Sequence, residues 1–241
     1  RTQVCALFSS DMSAETVQNL LQQQGISATD IQAEIIEDRD WEREWMTHFK
    51  PMQFGTRLHI CPSWYTPLED REAVNLMLDP GLAFGTGTHP TTSLCLTWLD
   101  KQQLKNQTLT DYGCGSGVLA IAALLLGATA ANGIDTDPQA LEASLANAQR
   151  NGVANKLKLF SPEQLPDNVK TDIVIANILA KPLMTLANRI AAITVAGGQI
   201  SLSGILKEQE SQVCSAYQDY IDITHCDYKD DWVLITGIRK Q

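Results

Sequence analysis

At 241 residues and 44% hydrophobic content, the chain suits one large packed domain, or one plus a small appendage. No window reaches the ~18 unbroken apolar residues of a membrane span, and the opening Arg1-Thr2-Gln3 carries no signal peptide, so a membrane or secreted protein is not expected. A net charge of −10 without a dense Lys/Arg patch argues against a direct grip on nucleic acid, and six cysteines without a Cys-x-x-Cys pair, beside four dispersed histidines, argue for reduced thiols in a cytoplasm and no metal.

The acidity fits plain solubility or a basic macromolecular partner. The chain lacks an initiator Met, so its start is expected to be processed or truncated.

Residues 3–8 alternate and predict a short strand. Ser13 is placed to cap a helix carrying Val17, Leu20 and Leu21, stopped at Gly25, and residues 31–36 are again strand-like. This βαβ piece predicts part of a small α+β domain over 1–38. Over 39–51 a linker helix is expected, with Trp41, Trp45 and Phe49 on one stripe and Pro51 ending it. The remainder, 52–241, is the main domain. Strand candidates at 57–61 and 73–78 precede a dense stretch, Asp79-Pro80-Gly81-Leu82-Ala83-Phe84-Gly85-Thr86-Gly87-Thr88-His89-Pro90-Thr91-Thr92, and a helix over 91–99. From residue 108 strands at 109–112, 130–135, 157–160, 172–176 and 199–203 alternate with helices at 118–126, 138–151, 181–193 and 206–217. Strands at 221–228 and 232–238 close the chain as an antiparallel pair. Such alternation gives an α/β fold, a mainly parallel sheet with helices on both faces.

Three clusters carry chemistry. In Asp111-Tyr112-Gly113-Cys114-Gly115-Ser116-Gly117, alternate glycines let the backbone turn tightly and approach a ligand between a strand and a helix N-terminus. The next strand ends at Asp135, and an acid roughly 20 residues on is where ribose hydroxyls are held. Asp111 disfavours pyrophosphate and suits a cofactor bearing an ammonium and a sulfonium. The stretch 79–92 reads as a flap over that cofactor, with Phe84 stacking and Thr92 binding, or as a plain connection whose threonines cap the next helix. The third cluster ends the apolar strand 172–176 in Asn177, whose amide carbonyl suits an amine nucleophile; a helix cap is the other reading.

Asp-x-Gly-x-Gly-x-Gly resembles the first motif of Rossmann-like S-adenosylmethionine-dependent methyltransferases. With Phe84-Gly85-Thr86-Gly87-Thr88-His89-Pro90-Thr91-Thr92, Trp41-Glu42-Arg43-Glu44-Trp45 and Asn177-Ile178-Leu179-Ala180, the chain resembles the bacterial ribosomal protein L11 methyltransferases, strongly from about residue 38 onward. The resemblance implies a seven-stranded catalytic domain with an antiparallel edge strand and S-adenosylmethionine as cofactor. It implies cofactor contacts at Thr92, Gly113, Asp135 and Asn177, joined here by Asp111, Gly115, Phe84 and Thr86, with Asn177 also catalytic. It further implies methylation of the N-terminal α-amine and lysine ε-amines of a large-subunit ribosomal protein recognised by the N-terminal domain. That domain is larger in the family than the residues before Trp41, so about one βαβ half is absent from this sequence. A methyltransferase of a small molecule or nucleic acid, and a non-catalytic assembly factor keeping a cofactor pocket, are the competing readings.

Overall fold

The computed structural model describes residues 12–25, 49–79 and 87–241. The chain divides into two units, 1–48 and 49–241. In the first, the described element is helix α1, Ala14–Gln23. The Ser13 hydroxyl accepts from the Thr16 N–H at 3.1 Å, and Gly25 follows at φ 72°, so the expected cap and stop are both in place. The strands expected at 3–8 and 31–36 and the helix expected from residue 40 to 48 lie outside the described residues. Phe49 is not helical: it belongs to the second unit, buried there with its ring 6.4 Å from that of Trp64.

The second unit opens with a three-stranded sheet, β1 Met52–Phe54, β2 Leu58–Cys61 and β3 Val74–Met77. Asp100, at the end of helix α2 (Pro90–Asp100), fastens it. Its buried carboxylate accepts from the backbone N–H groups of Thr56, Arg57 and Leu58.

The larger sheet and its helices follow in the expected alternation: β4 Thr108–Tyr112, α3 Val118–Leu125, β5 Ala130–Ile134, α4 Pro138–Arg150, β6 Leu157–Phe160 and β7 Thr171–Asn177. Then come α5 Ala180–Thr185, α6 Ala187–Ile193, β8 Thr194–Leu206, α7 Glu210–Tyr217, β9 Ile221–Lys229 and β10 Trp232–Arg239. Seven strands lie in the order β6-β5-β4-β7-β8-β10-β9. Neighbours from β6 to β8 run parallel, and β10 runs against both β8 and β9. The reversed strand therefore sits one in from the edge. A tight turn at Asp230-Asp231, with Asp230 at φ 52° and Trp232 paired to Lys229, sends β10 back between β8 and β9.

Period-two alternation builds two cores from one strand. Ile173 and Ile175 pack with α2, α3 and α4, while Val174 and Ala176 pack with α5, α6 and α7. Helix α3 is apolar on nearly every face because it is buried from Val118 to Leu124. The single helix expected over 181–193 is two, broken at Leu186 (φ −90°, ψ 4°). The apolar pattern runs through the break and leaves no mark of it. Similarly, the helix expected from 206 begins as a 3-10 turn, Lys207–Gln209.

Candidate functional site

Gly113, Gly115 and Gly117 take φ values of 83°, 54° and 77°, where only glycine is unstrained. The turn they make is pinned from both sides. The N–H groups of Gly113 and Cys114 donate to the Ile134 carbonyl at 2.7 and 3.0 Å. From α4, the Ser144 hydroxyl donates to the Gly115 carbonyl at 2.8 Å and the Asn147 amide to the Ser116 carbonyl at 2.9 Å. Neither α4 residue stood out in the sequence, because a helix facing a turn from 30 positions away leaves no local pattern.

The N-cap of α3 is Gly117, which has no side chain to offer. Asp111 takes that role from beneath, its Oδ2 accepting from the Ala120 N–H at 3.3 Å. Its carboxylate is fully buried, and its Oδ1 has no partner among the described residues. Asp111 therefore underlies the glycine turn and is not among the side chains that line the cavity described below. Burial pushes its pKa up to about 7, opposed by the Ala120 N–H and reinforced by the Asp135 charge.

Asp135 stands half-buried just past the end of β5. Oδ2 accepts from the Gly115 N–H at 2.9 Å and Oδ1 from the Asp137 N–H at 3.0 Å, so its rotamer is set by the turn it faces. Asp137 in turn caps α4, with Pro138 at the first helical position.

Opposite lies the N-terminus of α2. His89 is its cap, Nδ1 accepting from the Thr91 N–H, and Pro90 is the first helical residue, one position earlier than expected. Thr92 is fully buried and reaches the cavity through Asn177, whose Nδ2 donates to Thr92 Oγ1 at 3.2 Å. With Nδ2 so engaged, the buried Asn177 Oδ1 has no partner among the described residues. Phe84 and Thr86 lie outside the described residues.

A cavity of about 620 Å³ opens between these groups, at the carboxyl ends of β4, β5 and β7 where open α/β sheets take ligands. Tyr112, Gly113, Gly115, Asp135 and Thr136 line it from the glycine turn and the ends of β4 and β5. His89, Asn177, Ile178, Leu179, Gly204 and Trp232 line it from the start of α2, the end of β7 and the turn after it, β8 and β10. The His89 and Trp232 rings meet edge to face at 4.9 Å. Trp232 and Gly204 come from the far end of the chain, and only the first had a visible signal, an aromatic directly after the hairpin turn.

The cavity fits an S-adenosyl group. The glycine turn gives close backbone approach, Asp135 offers a fixed carboxylate at a strand end, and Asn177, at the end of β7, lines the same cavity. Among the described residues no group of three His, Cys, Asp or Glu side chains is placed to hold a metal.

This strand order with its one reversed strand, carrying that glycine turn, is the Rossmann-like methyltransferase fold. A putative S-adenosylmethionine-dependent methyltransferase from Streptococcus mutans shares the fold at 13% identity, with a TM-score of 0.53 over 63% of this chain and 50% of that one. The family described as ribosomal protein L11 methyltransferase (PrmA) matches residues 1–240, and the chain belongs to it. A ribosomal protein L11 methyltransferase from Hahella chejuensis is 63% identical over 238 residues, 99% of this chain and 81% of that protein. The crystal structure of ribosomal protein L11 methylase from Lactobacillus delbrueckii subsp. bulgaricus is 31% identical, with a TM-score of 0.72 over 80% of this chain and 100% of that one. The protein is accordingly an S-adenosylmethionine-dependent methyltransferase.

Proposed function

We infer that the chain methylates amines of ribosomal protein L11, the N-terminal α-amine and lysine ε-amines. The substrate follows from the relatives' names at high identity. The observation that carries the chemistry is Asn177, a buried carbonyl acceptor without a partner among the described residues, on the wall of the cavity that holds the glycine turn. An unpaired buried acceptor costs about 1–3 kcal/mol, and an amine N–H offsets that cost.

S-adenosylmethionine, when bound, supplies a methyl group already activated on a sulfonium. Gly113 and Gly115 give it close backbone approach, Asp135 accepts from its ribose hydroxyls, Asn177 contacts it with Thr92 acting from behind through that amide, and Phe84 and Thr86 are assigned to its binding from the sequence alone. Asp111 serves indirectly, by holding the helix end beneath the turn. Asn177 is the catalytic positioner: Thr92 fixes its amide, and its carbonyl orients the attacking lone pair. Lysine is cationic at neutral pH, with an unperturbed pKa of about 10.4. The apolar wall of Ile178, Leu179 and Trp232 favours the neutral amine by desolvation, and water takes the released proton.

Residues 1–38 form part of the substrate-recognition domain, 39–51 the linker and 52–241 the catalytic domain. The net charge of −10 favours a basic protein partner over direct contact with nucleic acid. Among the described residues no helix is long and apolar enough to cross a membrane, and the proposed site of action is the cytoplasm, where the ribosomal protein is made.

Incubation with labelled S-adenosylmethionine and a complete set of ribosomal components tests the reading. Label on L11, at amines by mass spectrometry, is expected. Label on RNA or small molecules, or none on L11, would overturn it.

A further inference from the structure

Ile178 is wedged between two left-handed glycines contributed by the strands on either side of β7. On the β4 side, a Cβ on Gly113 would lie 2.3 Å from Ile178 Cγ2. On the β8 side, Gly204 takes φ 86°, and a Cβ there would lie 2.2 Å from the Ile178 carbonyl oxygen and 2.7 Å from its carbonyl carbon. The two contacts differ in kind. The first meets a side-chain methyl that can rotate or be trimmed. The second meets main chain, which cannot yield without moving the peptide.

Gly204 sits at an irregularity in the sheet. Asn177 pairs with Ser203 across β7 and β8, while the register of β8 against β10 shifts between Val233 and Ile235. Residues 203 and 204 thus oppose Leu234 alone, the count of a β-bulge with a left-handed glycine, a device that re-aims side chains beside active sites. Two polar contacts hold the same corner. Ser203 Oγ donates to the Thr91 carbonyl at 3.4 Å, and Asn177 Nδ2 donates to Thr92 Oγ1 at 3.2 Å. The bulge therefore adjoins the turn after β7 at the point where Asn177 faces the cavity.

We propose that Gly204 is a positioning residue for methyl transfer: by carrying no side chain it seats the Ile178 peptide against β8 and thereby aims Asn177. The claim rests on the reading of Asn177 as the amine-orienting group. Adding one methyl at Gly204 meets the Ile178 main chain and moves the turn after β7, while toward Gly113 only the Ile178 side-chain methyl is in contact and can rotate away.

The test compares Gly204→Ala with Gly197→Ala. Gly197 lies in the same strand at φ 76°, yet a Cβ there meets nothing within 4 Å, so it carries the same backbone strain without the clash. Three quantities are measured for each: thermal midpoint, calorimetric affinity for S-adenosylhomocysteine, and single-turnover methyl transfer to L11 at saturating cofactor. Both variants are expected to lose stability. Only Gly204→Ala is expected to lose rate, on the order of tenfold to a hundredfold as for a small misplacement of a reacting group, with S-adenosylhomocysteine affinity retained within about threefold. In the double variant Gly204→Ala/Asn177→Ala the rate should match that of Asn177→Ala alone.

A normal rate for Gly204→Ala beside a slow Asn177→Ala would overturn the proposal and leave the role of Asn177 standing. A normal rate for Asn177→Ala would remove that role, and the proposal with it, whatever the rate of Gly204→Ala. Should Gly204→Ala not fold, Ile178→Gly frees the same peptide without a clash. It must lose rate while keeping affinity, and a normal rate there contradicts the seat.

Discussion

The two walls of the cavity are built in opposite ways. The proposed cofactor wall is local: the glycine turn and Asp135 belong to one β-α-β segment, with Asp111 beneath the turn and Asp137, Ser144 and Asn147 as braces from the adjoining helix. The acceptor wall is assembled from afar. Asn177 depends on Thr92 from α2, Ile178 on Gly204 from β8, and His89 meets Trp232 from β10. A local wall tolerates change elsewhere in the chain. An assembled one lets any of several strands retune the angle at which the amine arrives.

If that division holds, changes on the acceptor wall act on rate and changes on the cofactor wall act on affinity. The largest effect is expected for Asn177→Ala. Loss of one positioning hydrogen bond in a water-poor site raises the barrier by ~2.7–4 kcal/mol, judging from removal of oxyanion donors, on the order of a hundredfold or more in single-turnover rate. Its affinity for S-adenosylmethionine should fall by less, about the 0.5–1.5 kcal/mol of a neutral hydrogen bond. Next comes Asp135→Ala. A hydrogen bond to a charged group contributes ~1.5–3 kcal/mol, so calorimetry should show affinity lower by about tenfold or more. An unchanged affinity would reduce Asp135 to a strand-end brace.

Asp111 sharpens the cofactor wall through stability rather than catalysis. Its pKa is near 4 when exposed and is pushed up to about 7 by burial in the folded chain. Between those values the folded state holds a proton that the unfolded state has released, so this group's contribution to stability falls as pH rises through the window. Asp111→Asn removes the titration. The thermal midpoint of the variant, relative to the unmutated chain without cofactor, should therefore move in the variant's favour by a few degrees from pH 5 to pH 8. A difference independent of pH would mean that Asp111 does not titrate there. The smallest effect is expected for Ser144→Ala, which removes one donor to the Gly115 carbonyl. A stability loss of about 1 kcal/mol is expected by urea unfolding, and none at all would show that the brace is idle.

The same division governs what could be read from the residues alone. Capped helices, the strand-helix rhythm, the glycine turn and the acid ending the next strand are all written in short stretches, so the sheet and the turn side of the cavity were legible. Asn177 was visible as an amide ending an apolar strand, yet its bond to Thr92 joins positions 85 apart and has no local trace. Gly204 looks like any strand glycine until its neighbour across the sheet is known. For Asp111 the sequence marks the position but not the direction in which its carboxylate points, which the fold turns toward the Ala120 N–H. A carboxylate before a glycine turn can point up to a cofactor or down to cap the helix, and only the burial of β4 decides. The break at Leu186 was invisible because both helices keep one apolar face.

The most direct measurement places Asp135→Ala and Asn177→Ala side by side, each with a calorimetric affinity for S-adenosylmethionine and a single-turnover rate on L11 at saturating cofactor. Two walls with separate duties predict opposite patterns: weak affinity with a near-normal rate for the first, and a smaller loss of affinity with a rate lower by on the order of a hundredfold for the second. Equal losses of affinity and rate in both variants would contradict the division and make the cavity a single, undivided site.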